Sequence, residues 1–76
     1  MILIVGMSNE DLTKLGKIIR SKRMTQNLTQ IELAGKAGVD RNYIGMLERG
    51  ERNPSYLSLL KIAKGLGITV DELIRQ

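Results

Sequence analysis

Residues 29–50, TQIELAGKAGVDRNYIGMLERG, decide the fold. Thr29 is a good helix N-cap, and Glu32 three residues on completes a capping box, in which each side chain satisfies the other residue's backbone N–H. Ile31, Leu33, Ala34 and Ala37 follow at helical spacing, with Ala34 and Ala37 facing inward. Gly38 stands where the helix stops, because glycine takes the left-handed conformation without a Cβ clash. Asp40 is the next N-cap, and Ile44 and Leu47 lie three apart on one face of the helix it opens. The connection is too short to hold the two helices apart, so they cross at a steep angle.

Two helices joined in this way make a helix-turn-helix, whose second helix can lie in the DNA major groove. The spacing alone also fits any helix pair in a small bundle, so the rest of the chain has to decide. Twelve Lys and Arg against eight Asp and Glu give the 76 residues a net charge of +4, a moderate excess that suits a polyanionic partner. There is no Cys, which excludes disulfides and thiolate metal sites, and no His, the commonest acid–base catalyst and metal ligand. With no Gly-rich phosphate loop and no carboxylate cluster, no catalytic set, metal or cofactor is expected, and the chain does not read as an enzyme. Tyr43 and Tyr56 are the only aromatic residues, too few for a platform that stacks single-stranded bases. The apolar runs are too short to span a membrane, and the absence of Cys and of a secretory signal suits the cytoplasm.

A chain of this length holds one domain and buries a modest core, which makes a homodimer a natural way to gain buried surface. Residues 1–7, MILIVGM, are an apolar N-terminal extension. They read as a disordered tail, as an added edge at a dimer contact, or as the product of an early start codon, since MSNEDL from Met7 is itself a sensible beginning. A free apolar strand is adhesive, which favours packing on the body or on a second subunit.

Residues 8–76 then form a single domain around the motif at 29–50. Ser8 or Asn9 caps the first helix, with Glu10 and Asp11 in its first turn. Leu12, Leu15, Ile18 and Ile19 make its buried stripe, while Lys14, Lys17, Arg20 and Lys22 lie on other faces. It ends near residues 24–26, with Asn27 in the left-handed position. After the motif, Gly50 ends the second helix, Pro54 sets the entry to the next, and Ser55 caps it. That helix, about 56–66, buries Tyr56, Leu59, Leu60, Ala63 and Leu66 before Gly67 closes it. A last short helix spans 71–75 and carries Leu73 and Ile74. Five helices with short connections make an all-α fold.

Three segments, LTQIELAGKAGV, YIGMLERGERNPS and LLKIAKGLGITVDEL, together resemble the lambda-repressor-like (Cro/repressor-type, XRE-family) helix-turn-helix regulators. The likeness covers residues 12–73. DRNYIGMLERGERNPS is similar to restriction–modification controller proteins, small dimeric transcriptional regulators; phage repressors and antitoxins share the pattern and stay open. The resemblance implies a five-helix DNA-binding domain acting as a homodimer on a pseudo-palindromic double-stranded DNA operator. It leaves RNA polymerase open as a further partner. The rival reading is a protein-interaction module that binds a toxin or a polymerase subunit.

The resemblance also implies roles for particular residues. Arg41, Asn42, Met46 and Arg52 would read bases: Arg41 can fork to guanine, Asn42 can bond adenine or a phosphate, and Met46 can meet a thymine methyl. Gln30, Tyr43, Asn53 and Ser55 would contact the DNA backbone, Gln30 from a helix N-terminus whose free N–H groups favour a phosphate. Arg23 and Glu48 match an ion pair that links the first helix to the end of the third. Lys22 departs from the family, which usually has a large apolar residue there. Gly45 lies inside the third helix at a cost of about 1 kcal/mol in helix propensity; it would admit close approach of DNA or a partner subunit, or else reflect neutral drift. Leu57, Leu60, Ile68, Val70 and Ile74, with Ile62, are more apolar surface than one small globule needs, and mark a dimer interface.

Overall fold

Side-chain caps set the boundaries of the helices. In a computed structural model, which describes residues 7–75, the chain runs α1 (Asn9–Thr25), α2 (Gln30–Ala37), α3 (Arg41–Glu48), α4 (Tyr56–Leu66) and α5 (Val70–Ile74), with no strand among the described residues. Ser8 with Asp11, Thr29 with Glu32 and Thr69 with Glu72 form reciprocal capping boxes at the starts of α1, α2 and α5. Asp40 and Ser55 cap α3 and α4. The expected last helix begins one residue early, at Val70, because TVDE is the same capping signature as TQIE. Asn27 takes φ 58°, the one non-glycine with positive φ among the described residues, where the sequence placed it.

Leu15, Ile19, Leu33, Ile44, Leu47, Leu59, Ile62 and Leu73 are fully buried, and every helix supplies at least one of them. Burying each contributes about 1.5–3 kcal/mol. α2 packs on α4 and α3, while α1 packs on α3 and α5. The α2–α4 approach relies on small residues: a Cβ at Gly65 would lie 3.0 Å from the Ala37 backbone nitrogen.

The structure corrects the expected face of α4. Its inward stripe is Leu59, Ile62, Ala63 and Leu66. Ile62, counted among the surplus apolar surface, is 0% exposed. Tyr56 and Leu60, expected inside, are 52% and 37% exposed. Leu60 lies one residue, or about 100°, off the stripe, and Tyr56 sits in the first turn at its open end. Leu57 is exposed, whereas Ile68, Val70, Ile74 and Ile18 are half-buried at the margin of the core. Met7 also packs against the core, while the rest of the N-terminal extension, residues 1–6, falls outside the described residues.

Candidate nucleic-acid interface

Eight residues make α3, and their phase is fixed by Ile44 and Leu47, both buried. Asp40 Oδ1 accepts the Asn42 backbone N–H at 2.7 Å and holds the first turn. That leaves Arg41 and Asn42 exposed and Met46 half-buried. Across from them stands the first turn of α2. Between the two helices runs a groove lined by Gln30, Ile31, Arg41, Asn42, Met46 and Arg49. Its walls combine guanidinium forks, primary amides and two apolar side chains, the chemistry that matches base edges and phosphates.

A partly buried cluster braces the two helices that form this groove. Arg23 donates from Nε to Glu48 Oε2 at 2.6 Å and from Nη2 to Oε1 at 3.0 Å. Its Nη1 donates to the Leu28 carbonyl at 2.8 Å. Gln30 Nε2 donates to Glu48 Oε1 at 3.1 Å. One carboxylate thus ties α1, the turn after it, α2 and the end of α3. The side chains of Arg23 and Glu48 are only 12% and 4% exposed. The hydrogen bond to Glu48 raises the Arg23 pKa further above its ordinary value, against the opposing effect of burial. Gly16 lets α1 reach the end of α3: a Cβ there would lie 2.5 Å from the Leu47 carbonyl oxygen and 2.6 Å from that of Glu48.

Gly45 lines the groove, as its place between Arg41 and Met46 suggested, but it is not open to solvent. It is buried beneath two side chains, and a Cβ on it would stand 3.2 Å from Arg49 Nη1 and 3.5 Å from Gln30 Oε1. Arg49 and Ile31 line the groove although the sequence reading assigned neither to it. The signal for Arg49 was present, since positions 41, 45 and 49 share one helical face. Ile31 is 57% exposed, on the outer side of α2 from Leu33, Ala34 and Ala37.

Of the eight residues expected to contact DNA, Gln30, Arg41, Asn42 and Met46 meet in the groove; the other four do not line it. Tyr43 is half-buried against the core, with the Arg52 guanidinium carbon 5.5 Å from its ring centroid, within cation–π range. Asn53 is exposed. Ser55 is committed to α4, its Oγ accepting the Ser58 N–H at 3.1 Å and bonding Ser58 Oγ at 3.0 Å. Among the described residues no acidic cluster can hold a metal ion, and no helix is long and apolar enough to cross a membrane.

The α2–α3 pair with its short connection, its capped second helix and the donor-rich groove define a helix-turn-helix protein. The family model described as "Helix-turn-helix" matches residues 19–73, and the chain belongs to that family. It is 42% identical over 60 residues to the control protein C.SmaI of Serratia marcescens, covering 79% of this chain and 71% of that protein. It is 37% identical over 65 residues to the HTH-type transcriptional regulator y4dJ of Sinorhizobium fredii, covering 84% of each. The crystal structure of the restriction-modification controller protein C.AhdI from Aeromonas hydrophila matches with a TM-score of 0.82 and 44% identity, over 84% of this chain and 97% of that one. The chain is therefore a homologue of restriction–modification controller proteins and shares their all-helical fold.

Proposed function

We propose that this chain is a sequence-specific regulator of transcription that binds double-stranded DNA as a homodimer. The observation that carries the reading is the groove itself. Arg41 and Asn42 stand exposed in the first turn of α3, beside Gln30, on a helix whose angle is fixed by the Arg23–Glu48 pair. Insertion of α3 into the major groove would bring Arg41 to a guanine edge and Gln30 to the flanking phosphate. Tyr43, Arg52 and Asn53 lie on the same helix or in the loop after it, and would extend the footprint along the backbone.

A second copy has a surface to meet. Tyr56, Leu60, Ala63, Ile68 and Val70 line an apolar concavity between α4 and α5, rimmed by Lys64, Thr69 and Asp71, with Leu57 exposed on the same helix. Pairing through this face would present two α3 helices to successive major grooves, about 10 bp between half-site centres. Dimerisation coupled to binding makes occupancy steep in protein concentration, which suits a controller that governs its own synthesis. Such a regulator works in the cytoplasm, where the DNA is, and a polymerase subunit is a natural further contact.

Selection of bound duplexes from a random library tests the whole reading, because one result reports sequence, symmetry and spacing. A two-fold symmetric consensus is expected, with affinity that falls steeply as salt rises. Arg41→Ala should cost about 1–3 kcal/mol on that consensus and relax one base position. A library that returns no consensus, or an equal loss for Arg41→Ala on consensus and scrambled DNA, would overturn it and favour a protein-binding module.

A further inference from the structure

Arg49 and Glu51 form an ion pair at the mouth of the groove that the DNA-binding reading does not use. Arg49 donates from Nε to Glu51 Oε2 at 2.9 Å and from Nη2 to Oε1 at 3.1 Å. Both side chains are more than half exposed, at 58% and 52%. The pairing is two-pronged, and it takes up one edge of the guanidinium. The remaining nitrogen, Nη1, points back over Gly45, where a Cβ would stand 3.2 Å away. Arg49 thus lies in the groove with Arg41 and Asn42, with one edge held and one edge turned inward.

The consequences for a polyanion are specific. An exposed cation at the end of α3 would attract any phosphate backbone, whatever its sequence, through release of counterions. A carboxylate clasped to it cancels most of that long-range attraction. The clasp also turns the Nη1 edge toward the groove, over Gly45, where a hydrogen-bond acceptor seated in the groove can meet it. Because the pair is solvated, exchanging the carboxylate for such an acceptor is inexpensive, as exposed ion pairs contribute little.

Resting on the DNA-binding reading, we propose that Glu51 is a specificity-determining positioning residue, which aims Arg49 into the groove and withholds it from generic phosphates. Gly45 belongs to the same device, since any side chain there would meet the Arg49 tip.

The test compares two duplexes: the consensus selected by the wild-type chain, and a scramble of it. Glu51→Gln should tighten binding to the scramble by about fivefold at moderate salt, and should steepen its salt dependence by about 0.9 per protomer, one further phosphate neutralised. Binding to the consensus should change less, so that the ratio of the two falls. Arg49→Ala should erase the effect, the Arg49→Ala/Glu51→Gln double variant behaving as Arg49→Ala alone. Gly45→Ala should likewise lower the ratio while the chain stays folded, because the obstructed atom is the far end of a flexible side chain. An unchanged ratio in Glu51→Gln, or an equal gain in the Arg49→Ala background, would overturn the inference while leaving the DNA-binding reading intact. Failure of the wild-type chain to bind either duplex would overturn both.

Discussion

Glu48 and Arg49 are neighbours in sequence, yet each enters a two-pronged arginine–carboxylate pair of opposite character. Glu48 faces inward to Arg23, and the pair is almost closed to solvent. Arg49 faces outward to Glu51, and water reaches both partners. The chemistry and the distances are nearly the same; the surroundings differ. In the inner pair each charge depends on the other, because little water reaches either to take its partner's place. In the outer pair water can replace either partner at little cost. The boundary between fixed scaffold and exchangeable contact therefore passes between residues 48 and 49, at the C-terminal end of α3.

Breaking the inner pair gives the largest expected effect. Glu48→Ala leaves the Arg23 guanidinium and the Gln30 amide without their shared acceptor, and should destabilise the chain by about 3 kcal/mol. The figure sits at the low end for such pairs because the edge of Arg23 still meets water. Urea unfolding of the variant beside Glu51→Gln checks the contrast, since the outer substitution should move the midpoint only slightly. Comparable midpoints for the two variants would refute the distinction between fixed and exchangeable pairs.

Gly16 extends the inner region by packing rather than charge. Its missing Cβ lets α1 lie against the carbonyls of Leu47 and Glu48, and backbone cannot swing aside as a side chain can. Gly16→Ala should therefore destabilise by about 1–3 kcal/mol through overpacking, despite alanine's better helix propensity. Thermal melting reads the sign, and a stabilised variant would show that α1 and α3 are not held in this contact.

Caps and periodicity made much of this fold legible in the sequence. Thr29, Asp40 and Ser55 announced three helices through local hydrogen bonding, and Asn27 announced a left-handed turn. Such signals act within a few residues, so no tertiary knowledge is needed to read them. Which way Tyr56, Leu60 and Ile62 face was not legible, because α4 carries apolar residues around most of its circumference and only its packing against α2 selects the inner stripe. The same reason hid the groove's full membership. Arg41 and Asn42 could be placed from their position in the motif. Arg49 shares the face of Arg41 but stands at the C-cap, past the last helical residue, Glu51 lies beyond the helix, and the burial of Gly45 depends on how two long side chains, Gln30 and Arg49, fold over it.

Gly35 supplies a smaller test of where the scaffold ends. It lies inside α2, as Gly16 lies inside α1, but a Cβ there would meet nothing within 4 Å. Gly35→Ala should therefore stabilise by about 1 kcal/mol, the propensity difference with no packing penalty. Opposite signs for Gly16→Ala and Gly35→Ala would show that tight packing belongs to particular helix contacts, the α1–α3 junction among them, rather than to every helical glycine.

The smallest expected effect concerns acid. Glu51 is held below its ordinary value of 4.5 by its hydrogen bonds to Arg49, and Glu32 below the same value by the Thr29 capping box. A carboxyl whose pKa is lowered in the folded state adds stability that is fully present above its unfolded value and is lost as pH falls through the folded one. Both contributions should therefore be constant at neutral pH and disappear in acid below the ordinary glutamate range. Both groups are exposed, so the shift in melting temperature should be slight, and it should be slighter still in Glu32→Gln and Glu51→Gln. The outer clasp differs from the cap in its second consequence: as Glu51 takes up a proton, Arg49 is released, and binding to scrambled DNA should strengthen relative to the consensus. That ratio should be insensitive to acid in Glu51→Gln, which already lacks the titrating group, and a ratio that falls equally in both proteins would assign the acid response to another carboxylate.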